Sequence, residues 1–164
     1  MQNERFAIPC VGAIIEKEIN GEPHLLIQTR QKENGNETNG LLELPAGKIR
    51  EYEDIFSALR REVWEETGLT ITRIHGEEAA VRTRIGEVET LSFAPYCTTQ
   101  NLSGAYSIIL HTFLCDAEGK LLSCTNETQN IRWAPLSEVR YIVSNSPEKI
   151  FFMHINALRK YLRL

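Results

Sequence analysis

The stretch that decides the fold runs from Gly47 to Leu69 and reads GKIREYEDIFSALRREVWEETGL. Its second half carries apolar residues four positions apart, which fall on one face of a helix: Ile55, Leu59 and Val63. Asp54 is of a type that caps helix N-termini, and Gly68 is of the type that ends helices in a left-handed conformation. The pattern predicts a helix from about Asp54 to Thr67 whose apolar face, flanked by Phe56 and Trp64, packs in the core.

A second face of the same predicted helix carries carboxylates. Glu62, Glu65 and Glu66 are separated by one to four residues, so like charges crowd together and cost about 0.2–0.5 kcal/mol per pair on an open helix. A bound divalent cation offsets this repulsion, and a set of oxygen ligands suits a hard ion such as Mg²⁺ or Mn²⁺. The carboxylate face therefore indicates a metal site.

The same stretch resembles the Nudix box, G-x5-E-x7-R-E-U-x-E-E-x-G-U, where U is aliphatic. Every defined position is filled, by Gly47, Glu53, Arg61, Glu62, Val63, Glu65, Glu66, Gly68 and Leu69. With roughly 6% for each fixed residue type, a chance match in a chain of this length is on the order of 10⁻⁸. The preceding residues Glu43–Ala46 (ELPA) are similar to the usual lead-in. The chain thus resembles a Nudix hydrolase.

The resemblance implies a role for each box residue. Glu62 and Glu66 are the expected metal ligands, and Glu65 is expected as a further ligand or as the base that activates water. Gly47 lets the backbone approach the metal and offers its carbonyl. Arg61 is expected to form an ion pair with a box carboxylate, most simply with Glu62, and so to orient it.

Further expected site residues lie inside and outside the helix. Glu53, in the box loop, is expected to support that loop or to bind the metal through water. The family often supplies another glutamate from a late loop, for which Glu127 is the first candidate and Glu118 the second. Arginines on predicted strands are candidates for binding substrate phosphates: Arg30, Arg82 and Arg84. An ordinary surface role remains the alternative for each of these residues.

The rest of the chain predicts strands interleaved with two or three helices. Asn20-Gly21 between two apolar, β-branched runs indicates a hairpin, and residues 31–40 are expected to form a polar loop. Ser146-Pro147 is expected to start a final helix that continues through Tyr161, with one face formed by Ile150, His154, Leu158 and Tyr161. This order predicts a single domain over residues 1–164, an α/β sandwich with helices on both sides of a mixed sheet. The resemblance implies the same α/β/α architecture.

Composition limits the class of protein. The 164 residues are 42% hydrophobic, which is enough for a sizeable core, and carry a net charge of −4. That charge argues against binding duplex nucleic acid by bulk electrostatics. The chain shows neither an export signal nor a run long enough to span a membrane, and its four scattered cysteines are expected to be free thiols. We therefore expect a cytoplasmic protein, and the apolar C-terminal helix is compatible with a homodimer.

The expected reaction is Mg²⁺-dependent hydrolysis of a diphosphate linkage in a small nucleoside diphosphate derivative. The lead-in resembles that of ADP-ribose and sugar-nucleotide pyrophosphatases, but their downstream Pro-Gly-x-x-x-Glu segment is absent, since Pro95 is followed by Tyr96. Nucleoside triphosphates therefore remain an alternative substrate class. A domain that senses a nucleotide without hydrolysing it is the competing function. A Nudix-fold isomerase acting on isoprenoid diphosphates is a third.

Overall fold

The computed structural model describes residues 4–31 and 37–164, so half of the loop predicted over residues 31–40 lies outside the described part. The helices and strands follow one another along the chain in this order: β1 (Ile8–Ile19), β2 (Glu22–Arg30), β3 (Leu42–Glu43), β4 (Ala46–Lys48), α1 (Ile55–Thr67), β5 (Thr70–Ile74), β6 (Val81–Ile85), β7 (Val88–Ser92), β8 (Cys97–Gln100), β9 (Ile108–Glu118), β10 (Thr128–Pro135), α2 (Leu136–Asn145) and α3 (Phe152–Leu162). Short 3₁₀ turns occupy Glu77–Ala79 and Pro147–Lys149.

The main sheet is mixed, as predicted. Its strands lie in the order β10-β2-β1-β9-β5, with β3, β4 and β8 pairing along β2, β1 and β9. The pairing of β1 with β9 is parallel, whereas β1 with β2 and β5 with β9 are antiparallel. The predicted hairpin joins β1 to β2: Asn20 and Gly21 both have positive φ, 54° and 80°, as a two-residue turn between twisted strands requires.

Helices cover both faces of this sheet, which confirms the predicted sandwich. Successive side chains of a strand point to opposite faces, and β1 is buried on both. Val11, Ala13 and Ile15 belong to the core beneath α1. Ile14 belongs to the core on the other side, with Leu158 of α3.

None of the helices in the described part of the chain is long and apolar enough to span a membrane. All four cysteines are free thiols.

The end of the chain differs from the sequence-based expectation. The predicted single helix from Ser146 to Tyr161 is wrong, because the backbone is extended at Ile150 and forms a parallel bridge to Leu42. The amide of Phe151 donates to the carbonyl of Leu42 at 2.8 Å. This long-range pairing interrupts the helix, so α3 starts only at Phe152. The helix α2 over Leu136–Asn145 was expected only as one of two or three helices, without defined bounds.

Strands β6 and β7 form a separate two-stranded sheet. Strand β6 begins only at Val81, because Glu77–Ala79 forms a 3₁₀ turn. Arg82 lies opposite Leu91 and Arg84 opposite Glu89, so the two arginines, two residues apart on one strand, share a face.

Candidate active site

Helix α1 holds the box carboxylates in position. Its ends are those predicted: the Asp54 carboxylate accepts from the amide of Phe56 at 2.8 Å, and Gly68 is left-handed with φ 78°. The apolar stripe consists of buried residues, Ile55, Leu59 and Val63. Burying each stabilises the packed helix by roughly 1.5–3 kcal/mol.

Trp64 is not in the core, contrary to prediction. Its side chain is 60% exposed. One residue beyond Val63 corresponds to a rotation of about 100° around a helix with 3.6 residues per turn. Phe56 is rotated from Ile55 in the same way but is buried, because the rings of Phe93 and Phe113 pack against it. Packing by neighbouring segments, together with the rotation, therefore decides which of the two residues is exposed.

Arg61 is the centre of a network of carboxylates. Its Nε and Nη2 each donate to one oxygen of Glu53 at 2.7 Å. Its Nη1 donates to Glu62 at 2.5 Å and to Glu65 at 3.2 Å, and Nη2 also donates to the carbonyl of Lys48 at 3.1 Å. The predicted contact with Glu62 is present. A planar guanidinium with fixed donor directions thereby orients several carboxylates at once.

Glu53 is bound more tightly than the sequence suggested. Besides Arg61, the amide of Arg50 donates to it at 2.9 Å. The hydrogen bonds from the Arg61 guanidinium lower the pKa of Glu53 from 4.5 to about 2, and the carboxylates in turn raise the pKa of Arg61. Glu53 therefore anchors the arginine that orients the helix carboxylates.

Glu66 is buried against the sheet, where its neighbours come from distant segments. One of its oxygens accepts from Gln28 Nε2 at 2.8 Å and from the amide of Ala46 at 3.0 Å. Gln28 also reaches Glu43 at 3.4 Å, and Arg30 pairs with Glu43 at 3.1 Å. The sequence analysis assigned no role to Gln28 or Glu43. Two features of the sequence could have pointed to them: Gln28 is a lone amide in the apolar run of β2, and Glu43 is a carboxylate in the lead-in to the box.

Gly47 has a steric reason to be glycine. A Cβ built at this position would lie 2.0 Å from both Cδ and Oε2 of Glu62, far inside van der Waals contact. The Glu62 carboxylate therefore rests directly on the backbone at Gly47. A larger residue at position 47 would displace this carboxylate, while the approach of the Gly47 carbonyl to a metal stays a prediction.

The carboxylates expected to bind metal are held by different donors. Glu62 is paired with Arg61, Glu66 is hydrogen-bonded to β2 and β4, and Glu65 is 43% exposed. Within residues 4–31 and 37–164, no three Asp, Glu, His or Cys side chains converge on one point as ligands. The chemistry of the donors nevertheless fits a hard cation, because all three offer carboxylate oxygens beside the Gly47 carbonyl.

A cavity of about 910 Å³ opens beside these residues. It is lined by most of the residues predicted for the site: Arg30, Gly47, Arg61, Glu62, Glu65, Glu66 and Glu127. Its walls also include residues to which no binding role was assigned, among them Glu43, Tyr106, Phe151 and His154. One cavity is thus lined by box residues, by the late-loop candidate Glu127 and by Arg30, one of the three candidate arginines.

The other predicted residues lie away from this cavity. Arg82 is exposed and pairs with Asp54 and Glu89, and Arg84 is also exposed. Glu118 ends β9, whose first residue Ile108 lines the cavity. Ten residues of extended chain separate these two ends by roughly 30 Å.

Comparison with known proteins agrees with this architecture. A family model described as "NUDIX domain" matches residues 8–153, which confirms the resemblance seen in the box. No curated protein matches the chain by sequence.

Solved structures share the fold at low sequence identity. The NUDIX domain of Shewanella oneidensis NrtR, complexed with ADP ribose, aligns with a TM-score of 0.66 at 16% identity, over 98% of this chain and 89% of that one. A MutT protein from Methanosarcina mazei aligns with a TM-score of 0.58 at 20% identity, over 98% and 96%. A C. elegans Ap4A hydrolase aligns with a TM-score of 0.53 at 15% identity, over 94% of each chain.

Proposed function

Because this chain belongs to the NUDIX domain family, we propose that it is a pyrophosphohydrolase that cleaves a diphosphate linkage in a nucleoside diphosphate derivative with Mg²⁺ or Mn²⁺. The observation that carries the proposal is the Arg61 network at the wall of the large cavity. It holds Glu62 and Glu65 beside Glu66, in a space large enough for a nucleotide-sized ligand.

The carboxylates of α1 have the composition needed to hold the cation. Glu62, Glu65 and Glu66, with the carbonyl of Gly47, would supply oxygen ligands of the kind that Mg²⁺ and Mn²⁺ take. When bound, such an ion neutralises charge on phosphate oxygens and lowers the pKa of a bound water. The Arg61 guanidinium balances the crowded negative charge until the ion and the substrate enter.

The residues differ in the part each plays. Arg61 orients Glu62 and Glu65, and Glu53 fixes Arg61 by two bonds of 2.7 Å. Glu65 is the most accessible of the three helix carboxylates, so it is suited to take the proton of the attacking water. Glu127, on another wall of the cavity, is the second candidate for this role.

The substrate class is a nucleotide-sugar or ADP-ribose-like diphosphate, or a nucleoside triphosphate. A structure with the same fold is the complex of the NrtR NUDIX domain with ADP ribose, which supports testing that ligand first. Arg30 remains a candidate for contact with the substrate, although its guanidinium is already paired with Glu43. Its contribution to phosphate binding is then expected to be small.

The test is a screen of diphosphate substrates with Mg²⁺ or Mn²⁺, in which released phosphate is measured after treatment with a phosphatase. We expect turnover of at least one nucleotide, with a loss on the order of 10²-fold or more in Glu66→Gln and Glu62→Gln. Glu18→Gln, an exposed carboxylate at the far end of β1, is the matched control. Undiminished activity in both box variants would contradict the metal roles. Nucleotide binding in calorimetry with no turnover of any substrate would instead favour a sensing domain.

A further inference from the structure

The cavity has two chemically different ends. One end is formed by the box, with the charged side chains of Arg61, Glu62 and Glu65. The other end is lined by apolar and aromatic residues: Ile8, Tyr106, Ile108, Phe151, Met153 and His154. A diphosphate and its cation suit the first end, because desolvating them in the second is costly. Arg30 and Glu43, which also lie at the second end, form an ion pair with each other, so this end suits an uncharged part of the substrate.

Three rings form what we call the aromatic wall: Tyr106, Phe151 and His154. The rings of Tyr106 and Phe151 lie 5.8 Å apart and nearly perpendicular, at 89°. The rings of Phe151 and His154 lie 5.8 Å apart at 57°. Arg30 backs the wall, with its guanidinium carbon 4.3 Å from the Phe151 ring centre and its charge paired with Glu43. The cation against the wall thus belongs to an ion pair with Glu43.

His154 presents an unusual polar atom in this apolar setting. The side chain is 2% exposed, and its Nδ1 lacks a hydrogen-bond partner within the described residues. Burial, assisted by the charge of Arg30, lowers the pKa of His154 to about 3, so the ring is neutral at physiological pH. A neutral imidazole has one donor and one acceptor, and a buried polar atom without a protein partner is uncommon enough to call for an explanation such as a functional role.

The sheet sets the spacing between the two ends. Along β1, Ile8 lies opposite Ile108, and Val11 lies opposite Gly47. Three residues of strand separate these pairs by about 10 Å. A ribose with its first phosphate bridges a gap of this kind. An aromatic base at one end would therefore place the diphosphate beside the box carboxylates.

We infer that the aromatic wall binds the base of the substrate, with Tyr106 contacting the face of the base and His154 hydrogen-bonding to its polar edge. A base has both a flat aromatic face and polar edge atoms. An isoprenoid chain lacks the polar edge, and a sugar lacks the aromatic face. The inference rests on the proposed function, because it assigns the orientation of a nucleotide in the same site.

The test is calorimetric binding of AMP, GMP, CMP, UMP and ribose 5-phosphate in the presence of Mg²⁺. Stacking of a base on an aromatic residue contributes enough for us to expect at least one nucleotide to bind roughly tenfold tighter than ribose 5-phosphate. Tyr106→Leu should remove most of this difference without changing ribose 5-phosphate binding, whereas Tyr106→Phe should preserve it. Equal affinity for all five ligands overturns the inference, as does an equal loss for nucleotide and sugar phosphate in Tyr106→Leu.

A second variant separates recognition of the edge from contact with the face. His154→Phe retains a ring of similar shape but removes both nitrogens, so we expect the ratio between the best and worst base to shrink while binding persists. His154→Asn, which keeps a donor and an acceptor, is made alongside it, and thermal unfolding verifies that each variant is folded. His154→Asn should retain more of that ratio than His154→Phe does. Unchanged selectivity in a folded His154→Phe protein overturns the role of His154.

The binding experiment tests the aromatic wall independently of the proposed hydrolase activity. The five ligands contain no diphosphate linkage, so their binding does not depend on turnover. Selective binding without any hydrolysis would support the wall and contradict the proposed reaction. Hydrolysis with no preference for base-containing ligands would do the reverse.

Discussion

Two arginines bridge carboxylates near α1, in different surroundings. In the Arg61 cluster (Arg61, Glu53, Glu62 and Glu65), the arginine side chain is 15% exposed. In the Arg82 pair (Arg82 with Asp54 and Glu89), the arginine side chain is 51% exposed. Exposed ion pairs are screened by water and stabilise little. A mostly buried cluster is costly to break, because removing one partner leaves charge desolvated and unpaired. The burial of an arginine, and not the number of its ion pairs, therefore decides how much those ion pairs contribute to the stability of the protein.

The largest effect is expected from Arg61→Ala. Three carboxylates would lose their common partner, so we expect the free energy of unfolding in urea to fall by about 3 kcal/mol. We expect kcat/KM to fall about 10²-fold, because Glu62 and Glu65 would no longer be oriented. Arg60→Ala, which removes a half-exposed pair with Glu77, is the control. If Arg61→Ala were no more harmful than Arg60→Ala, the contrast drawn from burial would be wrong.

Gly47→Ala should separate activity from stability within the Arg61 cluster. The new Cβ would collide with the end of the flexible Glu62 side chain, which can swing aside. We therefore expect only about 1 kcal/mol of destabilisation, at the low end for added bulk, but a loss of activity comparable with that of Glu62→Gln. Full activity in Gly47→Ala would show that the resting position of Glu62 is not the one used in the reaction.

Glu53 should make the free energy of unfolding depend on pH in the acidic range. Its pKa falls from 4.5 to about 2 on folding, chiefly through its hydrogen bonds with Arg61. Its contribution to stability is therefore present above about pH 4.5 and is lost as the pH falls towards 2. Between pH 5 and pH 3 the wild type should lose more free energy of unfolding than Glu53→Gln, as measured by urea denaturation. Parallel pH profiles for the two proteins would rule out this contribution.

Asp54 belongs to the Arg82 pair but also caps α1, so two substitutions distinguish these roles. Asp54→Ala should cost about 1 kcal/mol, the usual value of an N-cap. Asp54→Asn keeps a capping oxygen and removes the charge, so it should retain most of the stability in the same thermal or urea unfolding experiment. Equal destabilisation by both substitutions would mean that the contact with Arg82 matters more than its exposure suggests.

The smallest effect is expected from Arg82→Ala. Its melting temperature should match that of the wild type within error at physiological salt, because the arginine is exposed and its pairs are screened. KM should also be unchanged, since neither Arg82 nor Arg84 lines the cavity. A rise in KM in Arg82→Ala or Arg84→Ala would restore the sequence-based prediction that these arginines bind substrate phosphates.

Contacts between residues close together in the chain were predicted correctly from the sequence, whereas contacts between distant segments were not. The caps at Asp54 and Gly68 and the bond from Arg61 to Glu62 were predictable, because they lie within one helix or at its ends. The exposure of Trp64 was misjudged, since the spacing of residues defines a stripe but not how widely the sheet covers it. The final helix was misjudged because Ile150 pairs with Leu42, more than a hundred residues away.

The residues that the sequence analysis missed at the site have the same explanation. Gln28 reaches both Glu66 and Glu43 only because β2 and β3 lie beside the box. His154 forms part of the cavity only because α3 packs against β8 and, through Met153, against the first residues of β9. Each of these residue types is common in ordinary positions, so no local pattern marks it as part of a site.

The sequence by itself determined the family, the carboxylate face of α1 and the arginine that serves it, since the geometry of one helix turn is the same in every fold. The tertiary structure alone decided that Glu66 is the buried carboxylate and that Arg30 lines the cavity. It also decided that the aromatic wall lines the same cavity as the box. Those properties come from strand register and from the packing of segments far apart in the chain.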